Sequence, residues 1–143
     1  MVNLTELLTS VLDDVRPADH KMADICGLKS YILEFRTIQI NLGRQKGHTT
    51  AIRELMTPWD MVFLPNKVIE KQFISGCKQT PFSAFNVCSV EHINTFNRSF
   101  GAFNWKIPRR VFIDNASLLS KENINLVYDS VARHPEQVFI LLS

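Results

Sequence analysis

The run Ile38-Gln39-Ile40-Asn41-Leu42-Gly43-Arg44-Gln45-Lys46-Gly47-His48-Thr49-Thr50-Ala51 holds the residues of this chain best spaced for chemistry. A β-type apolar run enters two glycines, and two threonines then open a segment of helical character. Glycines let the backbone turn tightly, so that successive N–H groups converge on an anion. A helix that starts there adds the positive end of its dipole. The chemistry this favours is phosphate binding. The alternative is a plain strand-to-helix turn.

A second candidate is Val111-Phe112-Ile113-Asp114, an apolar strand ending in a carboxylate. Such an aspartate can hold the Mg2+ of a nucleoside triphosphate. On its own it is equally a turn residue or a local cap. A third stretch, Lys106-Ile107-Pro108-Arg109-Arg110, follows Phe100, Phe103 and Trp105. Mixed cations and aromatics suit single-stranded nucleic acid, through stacking and phosphate contact. The alternative is a loop entering the next strand, with its aromatics in the core.

The elements that must position these groups alternate. Leu4, Leu7, Leu8, Val11 and Leu12 recur at helical spacing behind Asn3 or Thr5 as cap. This stripe either covers the sheet or forms an arm for a partner. A second helical stretch, about Ala18 to Glu34, is divided if Gly27 breaks it. Thr37–Leu42 reads as a strand and Thr49–Met56 as a helix stopped by Pro58. Trp59–Leu64 is a near-continuous apolar run, the pattern of a strand buried on both faces. Lys67–Ser75 is a helix closed by Gly76, and Phe85–Ser89 a short strand. Val90–Phe100 is a loosely capped helix, Arg110–Ile113 a strand, Lys121 to about Arg133 a helix capped by Ser120, and Val138–Leu142 the last strand. Strands separated by helices imply crossovers and a parallel sheet. Ligands of such sheets bind at the carboxyl ends of the strands. The Gly43–Thr50 loop, Pro65-Asn66, Asp114-Asn115 and Ser143 all fall at such ends.

At 143 residues the chain is one domain by size, long enough to bury a core without staples. A net charge of +2 does not by itself imply nucleic acid. Cys26, Cys77 and Cys88 form no C-x-x-C pair and read as structural thiols of a reducing compartment. The four histidines are scattered, so no metal site is suggested by them alone. Cys88 and His92 lack the context of a catalytic dyad. No signal peptide opens the chain, and no apolar run is long enough to span a bilayer. A soluble, cytoplasmic protein with no membrane partner is expected.

In order and spacing, Gly43-Arg44-Gln45-Lys46-Gly47-His48-Thr49-Thr50 resembles the "G/S-R-Q-x-G-K-T-T" loop of large terminase and helicase motor domains. Val111-Phe112-Ile113-Asp114-Asn115-Ala116 resembles their "hydrophobic-D-E-A" strand. Phe139-Ile140-Leu141-Leu142-Ser143 is similar to the strand carrying the helicase coupling motif. The resemblance covers about residues 36 to 143 and is closest to small viral, especially bacteriophage, P-loop proteins. It implies a P-loop NTPase-like, RecA-like domain that binds ATP and Mg2+. Gly43, Arg44, Gln45, Lys46, Gly47, His48, Thr49 and Thr50 would bind the nucleotide, and Thr49 and Asp114 the metal. Against the Walker A pattern G-x-x-x-x-G-K-[ST], Leu42 takes the first glycine position and His48 the lysine position. Asn115 stands where the relatives have the glutamate that polarises the attacking water.

Both departures bear on turnover. Histidine is shorter than lysine and lacks its fixed charge. Asparagine cannot accept a proton, and a lost general base costs about 10²–10⁴-fold in rate. Arg44, Arg98, Arg109 and Arg110 are candidate arginine fingers if the protein assembles.

The expected fold is therefore a single α/β domain over residues 1–143, three-layered, with a mainly parallel five-stranded sheet and helices on both faces. Residues 1–34 form a helical segment packed on it. The expected function is a degenerate, ATP-binding P-loop domain of viral nucleic-acid metabolism, with weak or absent hydrolysis. Lys106, Arg109 and Arg110 are the candidate nucleic-acid contacts. The alternative is a protein-interaction or nucleic-acid-binding module that kept the fold and lost the nucleotide.

Overall fold

The computed structural model describes residues 3–41, 47–76, 87–90 and 107–143. Five short strands form one sheet: β1 (Thr37–Ile40), β2 (Met61–Leu64), β3 (Val87–Ser89), β4 (Arg110–Ile113) and β5 (Val138–Leu142). Their spatial order is β1-β5-β4-β2-β3, and every neighbouring pair is parallel. The two longest apolar runs, MVFL in β2 and VFILL in β5, are buried at every position. A strand covered on both faces cannot alternate polar and apolar residues, which is why these runs are continuous.

Six helices accompany the strands among the described residues: α1 (Leu4–Asp13), α2 (His20–Cys26), α3 (Leu28–Phe35), α4 (His48–Leu55), α5 (Lys67–Ser75) and α6 (Lys121–Val131). On one face Leu8, Ala51, Ile52 and Phe73 pack on Val62, Leu64, Phe112, Ile140 and Leu142. On the other Ala23, Tyr31, Ile32, Val127, Tyr128 and Val131 pack on Met61, Phe63, Val111, Ile113, Phe139 and Leu141. Successive strand residues thus feed opposite cores, and the molecule has three layers. The crossovers through α4 and α5 step towards the β3 edge on the first face. The crossover through α6 steps back on the second. A single crossover hand requires that change of face.

Local signals set the helix starts. The side chains of Asn3, Asp19, Asn66 and Ser120 accept backbone N–H bonds from Thr5, Met22, Ile69 and Asn123 at 3.0 to 3.1 Å. The stretch expected as Ala18–Glu34 is two helices, broken where Gly27 takes φ +85°. The strand expected from Trp59 starts at Met61, because Asp60 is drawn into a turn. Its Oδ2 accepts from Thr57 N at 2.9 Å and Thr57 Oγ1 at 3.1 Å. β1 stops at Ile40, before Asn41, and position 42 of its expected range lies outside the described residues. β3 starts at Val87, and positions 85 and 86 of its expected range lie outside the described residues. So do positions 91–100 of the helix expected over Val90–Phe100. The N-terminal leucine stripe is core. Leu8 is fully buried, and Thr5 Oγ1 donates to Glu54 Oε2 of α4 at 2.6 Å.

At the amino ends of β4 and β5, Gln137 acts as a buried clasp. Its Oε1 accepts from Arg133 N (2.6 Å) and His134 N (2.9 Å). Its Nε2 donates to Pro108 O (2.9 Å) and Val131 O (2.8 Å). Every polar atom of the amide therefore has a partner, and the clasp ties α6 to the entries of two central strands. Gln137→Ala strands several of these groups without water. It should destabilise the protein by about 2–4 kcal/mol in urea unfolding with an unchanged m-value. A loss below about 1 kcal/mol would mean that water replaces the clasp.

Candidate functional site

Because the sheet is all parallel, its five carboxyl ends share one edge. Asn41, Pro65-Asn66, Ser89, Asp114-Asn115 and Ser143 lie along it. The chain leaving β1 turns to the α4 face, and the chain leaving β4 turns to the α6 face. β5 lies between them, and Ser143 N at its tip donates to Ile40 O at 3.0 Å. A cavity of about 180 Å³ lies at this edge, between Ile40, Asn41, Ala116, Ser117 and Ser143, and neither Thr49 nor Asp114 lines it.

Gly47 precedes α4 with φ +130° and ψ −11°, a conformation open to glycine and strained for other residues. Its carbonyl accepts Ala51 N at 2.8 Å, the first bond of the helix. Two residues on, Thr49 Oγ1 donates to Asp114 Oδ2 at 2.8 Å. The other carboxylate oxygen accepts Asn115 N at 2.9 Å. Residues 65 positions apart in sequence thus meet directly at the carboxyl edge.

Asp114 is wholly buried, and burial raises its pKa above the ordinary 3.8. The hydrogen bonds from Thr49 and Asn115, and the charges of His48 and Arg53, pull the other way without offsetting it. A buried carboxylate held this incompletely compensated is a mark of functional sites. His48, the first residue of α4, is 6% exposed, and its Nε2 has no hydrogen-bond partner among the described residues. Arg53 points to α5 instead. Its guanidinium packs on Gly76, lies 5.0 Å from the Phe73 ring centre and donates to Gln72 O at 3.1 Å. That serves the carbonyl end of α5.

Asn115 has a structural reason invisible in the sequence. It holds φ +53° and ψ +44°, the sole positive φ outside glycine among the described residues. Asparagine visits this left-handed region far more readily than glutamate does. The turn it makes leads into a 3₁₀ segment, Ala116–Leu118.

Of the remaining sequence candidates, Thr50 is exposed on α4, and Gly43, Arg44, Gln45 and Lys46 lie outside the described residues. Lys106 lies outside them too, as do Arg98 and His92. Arg109 and Arg110 are at the amino edge, away from Asp114. The Arg110 guanidinium is committed to buried Asp60, at 2.6 and 3.1 Å, and to Leu55 O at 2.7 Å. Cys88 is no nucleophile: burial, aided by the charge of Glu70, pushes its thiol up to about 12.

Among the described residues no group of three or more His, Cys, Asp or Glu side chains could cage a metal. Thr49 Oγ1 and the Asp114 carboxylate are oxygen donors that could hold a hard cation only if other ligands completed its shell. No helix among the described residues is long and apolar enough to cross a membrane. Compared with known proteins, the chain matches no family model and no curated protein.

Two outcomes follow from this geometry. The native state penalises the Asp114 charge, so wild-type stability falls as pH rises from 3.8 through the raised native value, and the loss is complete above it. Asp114→Asn keeps the hydrogen-bonding shape without the charge. Its melting temperature, measured without ligand, should match wild type in acid and exceed it by a few degrees at pH 7; a lower value at pH 7 would contradict the burial argument. For the next residue, Asn115→Glu should cost about 1 kcal/mol in chemical unfolding and Asn115→Gly almost nothing. Equal effects would mean that the left-handed turn is not the constraint.

Proposed function

We propose that this chain is a degenerate P-loop NTPase-like domain that binds ATP with Mg2+ in viral nucleic-acid metabolism and hydrolyses it slowly or not at all. One observation carries the reading: the 2.8 Å contact between Thr49 Oγ1, at the start of a helix, and the buried carboxylate of Asp114. Three donors suited to an anion and its metal converge there: the N-terminal N–H groups of α4, a hydroxyl and a carboxylate.

The nucleotide's phosphates would rest on the backbone from Gly47 to Thr49. Thr49 and Asp114 would hold Mg2+, whose bound charge would offset that of the phosphates. The unpartnered His48 Nε2 fits a hydrogen bond to a phosphate oxygen. Among the described residues at this site none is placed as a general base for efficient hydrolysis. Asn115 cannot take a proton, and the left-handed turn it occupies disfavours the glutamate that could.

A thermal-shift titration tests this. Saturating Mg-ATP should raise the melting temperature by several degrees, since a ligand at 100 times its Kd adds about 2.7 kcal/mol. Thr49→Ala and Asp114→Asn should each abolish the shift while remaining folded. His48→Lys should tighten binding about tenfold by supplying a charged donor. The reading fails if no nucleotide shifts the wild type, or if the shift survives both substitutions.

A further inference from the structure

The sheet has two edge strands, and they differ. β3 is buried at all three of its positions. β1 is buried at none: Thr37, Ile38 and Ile40 are partly covered, and Gln39 is exposed. The register with β5 fixes which backbone groups of β1 point inward. Phe139 N donates to Arg36 O at 2.9 Å, and Ser143 N to Ile40 O at 3.0 Å. Residues 36, 38 and 40 therefore face β5, and the N–H and C=O groups of Thr37 and Gln39 point the other way. Among the described residues no backbone hydrogen bond takes up these outward groups.

Edges of this kind are kept from pairing by a charged side chain or a proline. Thr37-Ile38-Gln39-Ile40 has neither. Its outward groups are also self-complementary. A two-fold axis at Ile38 sets Thr37 of one copy against Gln39 of the other in antiparallel pairing. Each such pair exchanges N–H and C=O in both directions, so every outward group finds a partner. At the axis Ile38 meets its own symmetry mate as a closely spaced, non-hydrogen-bonded pair. Ile38 and Ile40 pack on the core of the α4 face but are only partly covered there. Phe35, 56% exposed at the end of α3, adds apolar surface at the amino end of the strand.

We infer that the free edge of β1 is an interface with a second copy of this chain, joining two sheets in one antiparallel seam centred on Ile38. A foreign strand would have to bring an uncharged run of the same alternation. A second copy brings it by symmetry. The inference stands apart from nucleotide binding, because the seam uses neither Thr49 nor Asp114.

The test is sedimentation velocity of the full chain over a wide concentration range, with amide hydrogen exchange measured at both ends of it. The mass should rise from one chain towards two, and the Thr37 and Gln39 amides should be protected only in the dimer. Gln39→Pro removes an N–H that β1 does not give to β5, so the fold should tolerate it. The dimer Kd should rise at least about tenfold, since each lost donor leaves a Thr37 carbonyl unpaired in the seam. Gln39→Lys sets like charges at diagonal positions across the seam. It should weaken the dimer too, with the loss partly relieved by salt, and it stays informative if the proline variant unfolds. The inference is overturned if the chain stays monomeric at every concentration, which would leave the edge to a strand of another protein. It is equally overturned if a dimer forms with both amides exchanging freely, or if either folded variant dimerises as wild type does.

Discussion

A carboxylate taken wholly out of water sets the terms for this molecule. Asp114 could have been a surface turn residue, yet it lies beneath the start of α4 and gains only two hydrogen bonds for its desolvation. Burial still dominates its titration. An apolar residue or an asparagine would cost the folded chain less. On the proposed reading a positively charged ligand would favour the aspartate, and a negatively charged one the helix start beside it. A metal-bound phosphate, as proposed, would satisfy both demands at once.

The sheet order makes that meeting unavoidable. β5 separates β1 from β4, so the carboxyl ends of β1 and β4 flank the same strand end. The crossovers through α4 and α6 lie on opposite faces of the sheet. Gln137 and Arg36 hold the far ends of these strands in register through bonds to backbone carbonyls. The carboxyl edge can then carry poorly compensated groups, such as Asp114 and the orphan nitrogen of His48, because the strands beneath it are fixed elsewhere.

Much of this was legible in the residues. β4 and β5 have the bounds their apolar runs imply, because a strand buried on both faces leaves no ambiguity of period. Asn66 and Ser120 marked their helices because a side-chain oxygen at that position satisfies an N–H that nothing else can reach. Thr49 and Asp114 were both legible as candidate site residues, while the direct 2.8 Å hydrogen bond between them was not. Other features were out of reach. The left-handed turn at Asn115 leaves no periodic trace, so the residue read only as a lost glutamate. The Asp60–Arg110 pair joins positions 50 apart, and Arg110 therefore read as a surface cation. Trp59 looked like the start of a strand until Asp60 drew the chain into a turn.

The most direct test of the central claim is a crystal structure of the protein grown with Mg2+ and a non-hydrolysable ATP analogue. The account predicts phosphate density against the backbone N–H groups of Gly47 to Thr49, with the metal held by Thr49 Oγ1 and the Asp114 carboxylate. Crystals grown with saturating analogue that show the direct Thr49–Asp114 bond intact, with the nucleotide elsewhere or absent, would contradict it.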